Sequence, residues 1–150
     1  MHAAITSAVG FLIAVLWFDL MFDVQVIPHR HEPQVPAHVV DSIATYYRRV
    51  TTDASPMGRL ISLVMAVLVG LLVWQALRGG TPGWVSVVSL VGAAAAIGLA
   101  LGRVVPDAVR LGSGEGEPAS RSALARGILR DHLAFLAVMV AVLVVQLIGG

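Results

Sequence analysis

Residues 57–103 read MGRLISLVMAVLVGLLVWQALRGGTPGWVSVVSLVGAAAAIGLALGR. The only charged residues in this stretch are Arg59, Arg78 and Arg103, at its start, middle and end. Between them lie two apolar runs, each close to the ~20 residues that a helix needs to cross the ~30 Å hydrocarbon region of a bilayer. Their junction, Arg78-Gly79-Gly80-Thr81-Pro82-Gly83, is made of residues that stop helices and permit tight turns. The stretch therefore reads as an antiparallel hairpin of two membrane-spanning helices.

Two further runs flank the hairpin, so the expected spans are roughly 3–27, 57–78, 82–103 and 125–148. The composition agrees. The chain is 57% hydrophobic and 13% charged, about half the ~25% charged share of soluble domains, and its mean hydropathy is +0.85. Backbone polar groups find no partner in lipid, so only helices or closed barrels cross it. The runs lack the strict two-residue alternation of a barrel strand. The fold expected is an all-α membrane protein, a four-transmembrane-helix bundle forming one domain over 1–150. The first run lacks the basic start and small-residue cleavage site of a secretory signal, so it is expected to be retained.

Arginine sets the expected orientation. All ten basic residues are arginines: Arg30, Arg48, Arg49 and Arg59 around the first loop, Arg103, Arg110, Arg121, Arg126 and Arg130 around the third, and Arg78 alone at the second. Nine against one places loops one and three on the cytoplasmic side by the positive-inside rule. Both termini then face outward across a bacterial inner or plasma membrane. Within the first loop, residues 38–52 put Val39, Val40, Ile43, Tyr46, Tyr47 and Val50 mostly three or four apart, with Asp41, Arg48 and Arg49 opposite. That spacing predicts an amphipathic helix lying in the cytoplasmic interface, its tyrosines at headgroup depth.

The chain has no cysteine, which removes disulfides, thiolate metal centres and cysteine nucleophiles. It has no phosphate-binding glycine loop and no GxSxG setting. Nothing specifies a cofactor, and no nucleic-acid-binding module is present. The informative residues are Asp19 and Asp23, within WFDLMFDVQVIPHRHE at 17–32. An ionisable residue at the centre of a span costs about 2.5–3.5 kcal/mol even on the gentler insertion scale, so acids there demand partners. Spaced four apart, they share one helix face.

Alternating helix direction brings Arg59, Arg103, Arg130 and His132 to the same level as the two acids. Asp19, Asp23, Arg59, Arg103, Arg130 and His132 are the candidates for binding or proton exchange. An arginine-clamped acid pair and a proton-binding pair are both compatible with the spacing. His29, His31 and Glu32 form a weaker metal-ligand candidate, because histidine and carboxylate suit zinc, copper or iron. Gly92-xxx-Ala96 and Gly98-xxx-Gly102 on helix three have the small-residue spacing of close helix packing or a homodimer seam.

The leading expectation is a structural, assembly or accessory subunit, embedded in the lipid bilayer beside partner membrane subunits, with an Asp/Arg/His cluster at the cytoplasmic interface. The alternatives are an enzyme or binder acting on a lipophilic molecule or cofactor at that cluster, and a proton- or cation-coupled carrier.

Overall fold

The computed structural model describes residues 1–53 and 55–149. They form six α-helices: α1 (His2–Asp23), α2 (Ala37–Arg48), α3 (Ser55–Arg78), α4 (Gly83–Leu99), α5 (Val105–Gly112) and α6 (Pro118–Gly149). A tighter 3₁₀ segment, Val24–His29, prolongs α1, and widened π-type turns at Arg49–Asp53 and Ala100–Val104 follow α2 and α4. Four stretches are long and apolar enough to cross a membrane: His2–His29, Pro56–Arg78, Gly83–Gly112 and Pro118–Gly149. By composition this is a multi-pass membrane protein.

The boundaries follow local chemistry. Gly79 and Gly80 turn the chain between α3 and α4 with φ of 69° and 88°, values that side-chain-bearing residues seldom adopt. Pro82 and Pro36 stand immediately before α4 and α2, and Pro118 begins α6, where its missing N–H costs nothing. Pro106 lies just beyond the π-type turn at Ala100–Val104. A proline and a π-bulge both break regular helical hydrogen bonding, so the third span bends there into α5.

Two differences from the sequence expectation matter for the site. The fourth helix starts at Pro118 instead of near 125, and the third continues past 103 as α5 to Gly112. Both extensions are polar or amphipathic, and burial of Ala108, Leu111, Ser122 and Ala125 holds them in place.

Each long helix touches two others. α1 packs on α3 and α6, and α4 packs on α3 and α6. Their shared interior includes Ile5, Val9, Leu12, Leu68, Leu72, Ala93, Ala96 and Met139. Gly92 lies against α6, where an added Cβ would meet Val142 at 2.9 Å, and Ala96 is buried. Gly98 and Gly102 face outward.

A second apolar cluster caps one end. It joins Val39, Val40, Ile43 and Tyr47 of α2 to Ala108 and Leu111 of α5 and Ala125 and Ile128 of α6. The apolar face of α2 is thus spent on protein contacts. Arg126 donates to the backbone carbonyls of His29 and Glu32 at 3.1 and 2.6 Å, and the Ser122 hydroxyl accepts from Val35 N–H at 3.0 Å. Together they fasten the first loop to α6.

Candidate functional site

The capping layer places two tyrosines over the end of α1. α5 approaches α2 so closely that a Cβ on Gly112 would lie 2.8 Å from the backbone nitrogen of Arg48. Only glycine allows that approach, and it presses the last turn of α2 against the long helices. Tyr46 stacks on Phe22, with ring centroids 4.0 Å apart and planes 9° from parallel. Tyr47 meets Tyr46 edge-on at 5.3 Å.

The hydroxyls of these tyrosines reach the two aspartates of α1. Tyr46 Oη donates to Asp19 Oδ1 at 2.7 Å, and Tyr47 Oη donates to Asp23 Oδ1 at 2.7 Å. From α6, His132 Nδ1 donates to Asp23 Oδ2 at 2.6 Å. Asp23 is fully buried, and both of its oxygens are engaged. A carboxylate on Nδ1 fixes the imidazole tautomer and orients the ring, which leaves Nε2 as the working nitrogen. Nε2 lies 3.9 Å from Asp19 Oδ2, too far for a hydrogen bond. One acceptor on Asp19 and one nitrogen on His132 therefore face each other unjoined.

Burial, reinforced by Asp19, pushes the Tyr46 hydroxyl well above the ordinary tyrosine range; burial and Asp23 do the same for Tyr47. Both remain protonated donors at neutral pH.

Beside this cluster lies a cavity of about 590 Å³. Asp19, Tyr46, Tyr47 and His132 form one wall of it. The remainder is largely apolar, with Leu12, Leu16 and Phe18 from α1, Ile61 and Met65 from α3, Val104 and Val105 from the bend between α4 and α5, and Phe135 from α6. The volume falls in the ~300–1,000 Å³ range of small-molecule sites, and a few convergent polar groups in an apolar chamber are typical of such sites. Chemically, the Asp23–His132 pair can take a proton from a bound hydroxyl or return one, while the Asp19 carboxylate accepts a hydrogen bond.

No protein-family model, curated protein or solved structure matches this chain.

The sequence candidates at this level divide three ways. Asp19, Asp23 and His132 assemble. Arg103 and Arg130 instead engage Asp131, at 3.1 and 3.2 Å, so they form a separate ion cluster one residue before His132. Arg59 is exposed and makes no ion pair among the described residues. Among those residues no arginine contacts Asp19 or Asp23, and histidine and two tyrosines occupy the places where an arginine clamp was one alternative.

In the first loop His29 Nδ1 meets Glu32 at 2.8 Å, while His31 accepts from Arg30 Nε at 3.0 Å. His29 and His31 are thus engaged with different neighbours. Among the described residues no three His, Asp or Glu side chains gather as a metal-holding group.

Tyr46 and Tyr47 escaped sequence reasoning as site residues. Tyr47 continues the Val40, Ile43, Ala44 face of α2, an apolar pattern that reads the same whether it meets lipid or protein.

Proposed function

We propose that this chain binds a lipophilic small molecule in the cavity beside Asp19 and His132, and that the Asp23–His132 pair gives the site acid–base capacity. The observation that carries this reading is the pair of unjoined polar atoms, Asp19 Oδ2 and His132 Nε2, on the wall of an otherwise apolar chamber. A collar that served only to hold helices together has no need of hydrogen-bonding capacity left open toward a chamber. The accessory-subunit reading accounts for Asp131 with Arg103, which ties α6 to the widened turn of the third span, but it assigns no role to the cavity. A carrier would need polar groups at the opposite end, where Gln75 and Gln146 are occupied with each other.

In this proposal the long helices form a transmembrane bundle in a bacterial inner membrane. Nine of the ten arginines lie around the first and third loops, so that end faces the cytoplasm. The site then opens near the cytoplasmic interface, with α2 as an interfacial helix roofing it. Gly98 and Gly102, both outward-facing, are the part of the small-residue stripe available to a second copy or a partner subunit.

Native mass spectrometry of the protein from mild detergent tests the reading against Asp19→Asn. The expected result is a bound small molecule that the wild type retains and the variant loses. If wild type and variant carry identical bulk lipid and nothing else, the accessory-subunit reading replaces this one.

A further inference from the structure

A second, shallower groove of about 400 Å³ runs along the outside of the molecule between α3 and α4. It is lined by Ser62, Met65, Ala66, Val69, Ile97 and Leu101. Three of these, Ser62, Met65 and Leu101, also line the main cavity. The two spaces therefore adjoin at these three residues, with the polar Asp19–His132 wall at one end and mostly apolar side chains toward the other. From Ser62 to Val69 the groove climbs α3 by about 10 Å at 1.5 Å per residue, away from the capped end and toward the middle of the span. The wall it follows is also the least enclosed. The apolar window of α3 is 17% buried, against 28–33% for the other three spans.

Resting on the binding function proposed above, we infer that the ligand is a neutral, hydroxyl-headed lipid with a single apolar tail, which reaches the site sideways from the membrane between α3 and α4. The head is selected by what faces it. One ligand oxygen can lie about 2.8 Å from both Asp19 Oδ2 and His132 Nε2 across their 3.9 Å gap. With a proton on Nε2, a hydroxyl accepts from His132 and donates to Asp19 Oδ2, so one ligand oxygen closes the gap in that state.

Other heads fit less well. A phosphate or carboxylate has no proton to give Asp19 and would be repelled by it, and among the described residues the cavity lining holds no arginine or lysine. An ammonium has no acceptor for a protonated Nε2 and would bring three donors to the one free acceptor of Asp19, leaving donors unmatched in an apolar chamber.

The groove supplies the tail's place. A membrane lipid already stands with its head at the interface and its tail toward the midplane. The path from Asp19 to Val69 has the same polarity, so such a molecule can move in without inverting.

Photolabelling of the full-length protein in phosphatidylcholine vesicles tests this, using hexadecanol with a diazirine in its tail, the matched hexadecanoic acid and hexadecylamine, and a short diazirine hexanol. Hexadecanol is expected to label the Ser62–Val69 and Ile97–Leu101 segments, with the acid and the amine labelling about tenfold less or weaker still. Ala66→Trp fills the groove at an exposed position, so it should remove hexadecanol labelling and leave hexanol labelling of the cavity intact.

Hexanol labelling in the cavity without hexadecanol labelling in the groove would overturn this inference and leave the binding function standing. Equal labelling by alcohol, acid and amine would overturn the choice of head. Absence of hexanol labelling at the cavity would overturn the binding function itself.

Discussion

Among the described residues a buried hydrogen-bonded cluster lies toward each end of the molecule, and the two solve the same problem differently. At the end away from α2, Gln146 Nε2 donates to Gln75 Oε1 at 3.1 Å and to Ser89 Oγ at 2.9 Å, and Gln75 Nε2 donates back to Gln146 Oε1 at 3.3 Å and to Thr81 Oγ1 at 3.1 Å. The groups are neutral and the amides close on each other. At the other end Asp19, Asp23, His132, Tyr46 and Tyr47 are ionisable, and they leave two valences facing a chamber. A saturated polar layer fixes which helices meet and in what register. An unsaturated one beside an apolar void is arranged for a visitor. The contrast lies in how fully each network consumes its own hydrogen-bonding capacity.

Substitutions can break or sharpen that contrast. The largest loss is expected for Asp23→Ala, which strips a buried acceptor from His132 and Tyr47 together. Removing one partner of such a buried pair typically costs about 3–5 kcal/mol, readable as a fall in the thermal unfolding midpoint in detergent. Gln146→Leu should cost about 1–3 kcal/mol, because it orphans Gln75 and Ser89. The double variant Gln75→Leu/Gln146→Leu should recover most of that loss, since replacing both partners of a hydrogen bond by apolar groups is often near neutral. If the double variant is as unstable as the single, the layer does more than join helices.

Gly112→Ala is expected to cost roughly 1–3 kcal/mol by forcing its Cβ into the backbone of Arg48. It should also weaken ligand retention in native mass spectra, since α2 carries the tyrosines. Alkaline pH acts on the same tyrosines. Their hydroxyls are held above the ordinary value of 10.0 in the folded chain, so the stability they contribute is complete below that pH. Above it, stability declines as the unfolded tyrosines ionise while the folded ones stay protonated. Tyr47→Phe should flatten the alkaline limb of an unfolding-midpoint profile.

The smallest change in stability belongs to Asp19→Asn. Asn keeps an oxygen for Tyr46, and a shift under about 1 kcal/mol is expected. Yet this variant should lose the ligand, which sets the open cluster apart from the closed one most sharply.

Much of this architecture was legible in the sequence. Long uncharged runs and the Gly-Gly-Thr-Pro junction disclosed four long apolar helices, and the four-residue spacing of Asp19 and Asp23 put them on one face, with Arg59, Arg103 and His132 all open as partners. What escaped was whatever depends on the partner an amphipathic face chooses. The pattern at 38–52 is the same whether its apolar side meets lipid or protein, so nothing local announced that Tyr46 and Tyr47 would reach the aspartates. Residues 118–124 contain too few apolar side chains to declare a helix by themselves, and packing of Ser122 and Ala125 decides them. The partner of Asp131 was hidden for a related reason. Adjacent helical residues point about 100° apart, so Asp131 serves Arg103 while its neighbour His132 serves Asp23.

The fastening of α2 has a mechanical consequence. Arg126 holds the loop before it, Arg121 meets Asp41 at 2.7 Å near its middle, and the bare backbone of Gly112 sits against its last turn. A roof stapled at three points is stiff, and α1, α4 and α6 are wedged against it or one another. α3 packs on α1 and α4 but has the least of its apolar window buried, and it lies between a widened turn and two glycines. A swing of that helix is the expected way for the chamber to fill or empty.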